Sequence, residues 1–192
     1  MSFMINRKSV SEIFTYGDYC QWSDGERWEL IHGTAYAMTA PSRIHQKVVL
    51  ELGRQISNFL QGKPCEPYIA PFDVRLPQKN EVDEEINTVV QPDISVICDP
   101  QKLDDKGCRG APDWIIEILS PSTAFKDMDT KRTLYESHGV REYWLIHPIE
   151  LWGMVYLLNN EGFYGVPHMF QLENETKVSI FPELQINWQF LS

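Results

Sequence analysis

The chain has 192 residues, 43% of them hydrophobic and 23% charged, enough for one domain (1–192) to bury a core without disulfide or zinc staples. No run of about 18 apolar residues occurs, so no segment reads as a membrane-spanning helix. The formal net charge of −10 argues against a broad basic surface for gripping nucleic-acid phosphates; it leaves room for a local basic groove and for cations that offset the acidic groups.

The first residues, MSFMINRKSVSEIF, are polar and lack the long apolar core of a signal peptide, so a cytoplasmic location is expected. Cys20, Cys65, Cys98 and Cys108 are scattered with no CxxC pair, and reduced thiols are expected of them. Residues 11–20 read as a short helix or turn. The β-prone runs 27–31 and 34–38 flank His32-Gly33 and predict an N-terminal hairpin. Residues 42–61 carry the clearest helical pattern. Ser42 can cap it, Ile44, Val48, Val49, Leu52, Ile56, Phe59 and Leu60 form one apolar face, and Gly62 stops it. A strand is expected over 72–76. The acidic stretch 78–88, with Glu81, Asp83, Glu84 and Glu85, reads as a solvated loop.

The core comes next. Strands are predicted over 94–98 and 114–119, a helix over 126–138 ended by Gly139, and a strand over 143–147. Strand, helix, strand in this short span is a βαβ unit, which requires parallel pairing. Further strands are expected over 154–158, 178–181 and 184–188. The sum is an α/β (α+β) fold, a mixed β-sheet flanked by helices.

Glu117 is the residue that most needs a physical reason. It lies in Trp114-Ile115-Ile116-Glu117-Ile118-Leu119, and apolar residues on both faces mark a buried central strand. Alternation sets Glu117 with Ile115 and Leu119 on one face. A carboxylate there is costly unless a cation or donors compensate it; a structural partner Lys or Arg and a functional role are both open. Asp93, beside Pro92 at a strand start, taken alone reads as a turn residue. If the two strands are neighbours, both carboxylates can meet over one point and suit Mg²⁺ or Mn²⁺, which take carboxylates and keep water. Lys131 lies early in the helix that follows the Glu117 strand and can reach back towards it. Glu29, His45 and Asp73 are weaker candidates, each with an ordinary structural reading beside the functional one; Arg75 is a possible partner for Asp73.

Five blocks in order carry a resemblance: Gln91-Pro92-Asp93-Ile94-Ser95-Val96, Gly110-Ala111-Pro112-Asp113, Glu117 to Thr123, Lys131-Arg132-Thr133-Leu134-Tyr135 and Gly139 to Trp144. They look like the Uma family of restriction-endonuclease-like proteins, in the PD-(D/E)XK nuclease superfamily; Glu29 to Gly33 and His45 also fit its early pattern. The resemblance implies a restriction-endonuclease-like core with helices on both sides of the sheet and a Mg²⁺ site. It matches Asp93 to the Asp of the PD element and Glu117 to the second acidic residue. It also matches Glu29, His45 and, less closely, Asp73 to further polar positions. The residue two after Glu117 is Leu119 where the superfamily pattern has Lys, and Lys131 on the next helix stands as its relocated counterpart.

The expected function is metal-dependent hydrolysis of phosphodiester bonds in nucleic acid, with DNA the expected substrate. In that reading Asp93 and Glu117 hold the ion, Lys131 assists, Glu29 adds a contact and His45 positions substrate. Two rivals stand beside it. One is a catalytically silent binding or assembly module that keeps the fold; the other is a plain Glu117–Lys131 ion pair. A homodimer is also expected to be possible, with the N-terminal hairpin and Trp152, Tyr156, Phe163 and Tyr164 as candidate interface residues.

Overall fold

The computed structural model describes residues 13–22 and 25–192, so the start of the expected 11–20 helix lies outside the described residues. In chain order the elements are helix α1 (Tyr16–Tyr19), strands β1 (Trp28–Ile31) and β2 (Thr34–Ala37), helix α2 (Arg43–Leu60), then strands β3 (Glu66–Ile69), β4 (Val74–Arg75), β5 (Val89–Val90), β6 (Ile94–Ile97), β7 (Leu103–Asp104), β8 (Gly107–Arg109) and β9 (Trp114–Ile118). A π-helix (Lys126–Lys131) runs into α3 (Arg132–His138), and strands β10 (Glu142–His147), β11 (Trp152–Leu157), β12 (His168–Gln171), β13 (Glu175–Lys177) and β14 (Gln185–Asn187) complete the chain. Contacts divide it into two compact units, one of residues up to Thr39 with Arg75–Val90, the other of Ala40–Val74 with Gln91–Ser192.

In the smaller unit, β1 pairs antiparallel with both β2 and β5. The hairpin turn expected at His32-Gly33 is present. Both residues have positive φ, 50° and 76°, as a two-residue turn matched to strand twist requires. Thr15 and Asp18 form a reciprocal capping box on α1. Tyr16, Leu30, Ile86 and Val89 make a buried cluster. The acidic stretch is not wholly solvated: Asp83 sits in a short 3-10 turn and its carboxylate pairs with the fully buried guanidinium of Arg75. A buried Arg is expensive without such a partner, and that cost draws one acidic residue out of water.

The larger unit is built on a six-stranded sheet in the order β12-β11-β10-β9-β6-β3. β9 and β10 are parallel, joined by the helix as the βαβ reading predicts, and the other pairs are antiparallel. Helix α2 forms where its periodicity places it, with Ser42 Oγ accepting the N–H of His45. Its buried stripe of Val48, Val49, Leu52, Ile56 and Leu60 packs on Ile94, Val96, Trp114, Ile116, Ile118, Trp144 and Ile146. Each such side chain contributes about 1.5–3 kcal/mol when fully buried. Residues from the chain's end, among them Val178, Ile186 and Trp188, join the same core. The opposite face of β9 meets the 126–138 helix through Glu117. Trp114 to Ile118 are all buried, so both faces of this central strand are covered.

Three expectations are corrected. Residues 126–131 form a π-helix, and only 132–138 are α-helical. The strand expected at 178–181 lies at Glu175–Lys177, and β3, β5, β7, β8 and β12 form where no strand is expected from the sequence pattern. Cys65 and Cys98, expected as thiols, are joined in a disulfide. They follow from the register of β3 and β6, where Glu66 pairs with Ile97 and the next step sets the two cysteines opposite each other. Tyr156 and Tyr164 pack with Tyr143 in an aromatic cluster, whereas Phe163 is exposed. Among the described residues no helix is long and apolar enough to cross a membrane.

Candidate active site

The site is set by the pairing of β6 with β9. Their register runs Val96↔Trp114, Ser95↔Ile115 and Ile94↔Ile116. One further step places Asp93 opposite Glu117, and directly opposed residues project on the same face of a sheet. Pro92 ends β6 on this side because it has no N–H for the ladder. The two carboxylates take over the hydrogen bonding that the ladder gives up. Asp93 N–H donates to Glu117 Oε2 at 3.3 Å, and Ile118 N–H donates to Asp93 Oδ2 at 2.8 Å. Each acid is therefore anchored by the backbone of the other's strand.

Helix α2 brings a third group. His45 stands in its first turn, three residues past the Ser42 cap, and its Nε2 lies 3.1 Å from Asp93 Oδ2. The side chains of His45 and Asp93 retain 12% and 18% exposure, so this end of the cluster reaches solvent. His45 Nδ1 is buried and meets no hydrogen-bond partner among the described residues.

The other end is closed. Glu117 Oε1 accepts from Lys131 Nζ at 2.8 Å and from the Tyr135 hydroxyl at 2.9 Å. Lys131 Nζ is also 3.7 Å from Asp127 Oδ1. Glu117, Asp127 and Lys131 are each only 3% exposed. Removing such charges from water costs several kcal/mol apiece, and the arrangement holds only because the charges and donors meet at close range. Tyr143 donates to the main-chain carbonyl of Asp127 at 3.0 Å. Its hydroxyl is pushed well above the ordinary tyrosine value, first by burial and then by the negative charge of Glu117 and Asp127, and it stays protonated.

The structure thus brings together four of the residues singled out in the sequence: Asp93, Glu117, Lys131 and His45. Glu29 is fully buried on β1 of the smaller unit. Asp73 accepts from the Gln91 side chain at 2.8 Å. Asp127 and Tyr135 were missed. Their spacing carried a signal, because 127, 131 and 135 recur every four residues and so share one face of a helical segment. The wider π turn over Lys126–Lys131 is a form often found at functional positions.

The donor chemistry fits a hard divalent cation. Among the described residues no group of three or more His, Cys, Asp and Glu side chains is arranged to hold an ion; Asp93 and Glu117 are the two carboxylates that face each other here. Mg²⁺ is commonly held by one or two carboxylates, with water and substrate phosphate filling the rest of its shell.

Comparison with known proteins settles the family. Residues 16–189 match the Uma2 family, described as "Putative restriction endonuclease". The chain belongs to the Uma2 family. An uncharacterized protein of Synechocystis is 29% identical over 148 residues, spanning 76% of this chain and 74% of that protein. The crystal structure of a "putative nuclease belonging to DUF820" from Anabaena variabilis superposes with a TM-score of 0.73 at 20% identity, covering 93% of this chain and 99% of the other. That likeness establishes a shared fold. The mixed-sheet, restriction-endonuclease-like architecture expected of this Uma2 chain is therefore the one it has.

Proposed function

We propose that this Uma2 protein is a metal-dependent nuclease that hydrolyses phosphodiester bonds in nucleic acid, DNA in the first instance. The observation that carries the proposal is the facing pair of Asp93 and Glu117 with Lys131 Nζ on Glu117. Asp93 and Glu117 would hold Mg²⁺ or Mn²⁺. When bound, such an ion polarises a phosphoryl oxygen and lowers the pKa of water.

The chain's own residues do the rest. Asp93 and Glu117 fix the position of the cleavage chemistry at the end of β6 and β9, each held in place by a backbone N–H of the other's strand. Lys131 keeps a positive charge next to that position, where it stabilises negative charge developing on the phosphoryl group. His45, at the solvent-facing end, orients Asp93 and is placed to touch a phosphate or an incoming water. The balance of the reaction is simple: a water oxygen bonds to phosphorus and gives up a proton, the bond from phosphorus to the leaving oxygen breaks, and the leaving oxygen takes up a proton in exchange.

One observation favours a second reading. Glu117 is hydrogen-bonded at both oxygens by the protein itself, so the cluster can stand as a structural network in a silent binding module. Assays on supercoiled plasmid and single-stranded DNA with Mn²⁺ separate the two. Cleavage that disappears in Asp93→Ala and Glu117→Ala supports the nuclease; cleavage unchanged in both variants overturns the assignment of these two residues, and no cleavage in the wild type together with no saturable Mn²⁺ binding supports the silent module.

A further inference from the structure

We infer that Tyr135 is a positioning residue for Glu117, one that fixes which oxygen the carboxylate turns towards Asp93; the inference rests on the metal-site reading above. The argument is one of lone pairs. Glu117 Oε1 accepts two hydrogen bonds, from Lys131 Nζ at 2.8 Å and Tyr135 Oη at 2.9 Å, and a carboxylate oxygen has two in-plane lone-pair directions. Oε1 is thereby committed to the helix, and Oε2 is the oxygen on the Asp93 side, 3.3 Å from the Asp93 N–H.

Lys131 alone would not achieve this. An ammonium on a four-carbon stem is a rotatable point charge, whereas the Tyr135 ring is fully buried and held edge-on against Tyr143 at a centroid distance of 4.9 Å. Tyr135 gives the carboxylate a rigid stop, and the α3 turn one step beyond the π-helix is what presents it. The group that takes Glu117 Oε2 and Asp93 together is a divalent cation, so loss of the Tyr135 hydroxyl must appear in cation affinity and not only in stability.

The test measures Mn²⁺ binding, by loss of the free-ion electron paramagnetic resonance signal, for wild type, Tyr135→Phe and Tyr143→Phe. All three are compared at a temperature where circular dichroism shows them folded. Tyr143→Phe is the control: it removes a neighbouring buried hydroxyl that bonds the Asp127 carbonyl, so a general loss of packing affects both variants alike. Hydrogen-bonding partners of metal ligands typically weaken binding about 10- to 100-fold when removed, and Tyr135→Phe is expected to fall in that range while Tyr143→Phe leaves affinity unchanged. Equal losses in the two variants, or wild-type affinity in Tyr135→Phe, overturn the positioning role and leave the metal site standing. Absence of saturable Mn²⁺ binding in the wild type overturns the metal site and this inference with it.

Discussion

Lys131 and Glu117 meet at 2.8 Å with 4% of each side chain exposed. Removing one member of such a pair leaves a buried charge without its counter-ion, a loss of about 3–5 kcal/mol. Lys131→Met is expected to be the harsher change, because Asp127 loses the same cation. In a double-mutant cycle with Glu117→Gln and Lys131→Met, read by denaturant unfolding, the coupling energy is expected to be about 1–3 kcal/mol. A coupling near zero would mean that solvent screens the pair, contrary to its burial.

Divalent ions are expected to stabilise the protein. A ligand at 100 times its dissociation constant adds about 2.7 kcal/mol to the folded state. Titration with Mn²⁺ should raise the melting temperature in a saturable way, chelation should reverse it, and Asp93→Asn should abolish it. A rise that Asp93→Asn leaves intact would place the ion elsewhere.

Much of the frame could be read from the chain because periodicity and burial agree there. Helix α2 and the β9–helix–β10 unit follow from patterns that leave one packing solution, and Glu117 stands out since an acid between apolar neighbours on both sides needs a partner. Its partner Tyr135 was hidden for the opposite reason: an aromatic in a helix is explained by packing alone. Asp127 was hidden because it stands among Lys126, Asp129 and Lys131, a charged run that reads as solvated surface. The convergence of Asp93 on Glu117 depended on a strand pairing, β6 with β9, that is set by tertiary packing and cannot be fixed from either strand by itself. The Cys65–Cys98 link was missed on the same ground, since it follows from the register of β3 and β6.

That link makes a separate prediction. In denaturant without reductant, a chromogenic thiol reagent should find the sulfhydryls of Cys20 and Cys108 alone, and prior reduction should release Cys65 and Cys98 as well. In the chain-entropy account, a bridge across a sequence separation of 33 stabilises by roughly 3–4 kcal/mol, so reduced protein should unfold at lower denaturant. Four reactive thiols before reduction would show that the pair is not bonded in the isolated protein.

Glu142 offers a test of burial against hydrogen bonding. It is fully buried at the start of β10 and accepts from Trp144 Nε1 at 2.6 Å, Ser179 N–H at 3.2 Å and Ile180 N–H at 2.8 Å. Burial raises its pKa above the ordinary 4.5, and the three donors only partly oppose that rise. A carboxyl whose folded pKa lies above its unfolded one binds more protons in the native state between the two values. Its contribution is fully present below 4.5 and is lost as pH climbs through the folded value. Glu142→Gln cannot titrate, and it turns an amide N–H₂ towards donors, so it is the less stable protein at low pH. The stability difference between wild type and Glu142→Gln, taken from denaturant midpoints across this window, should therefore shrink as pH rises. A difference that widens instead would mean that the donors outweigh burial and hold Glu142 ionised.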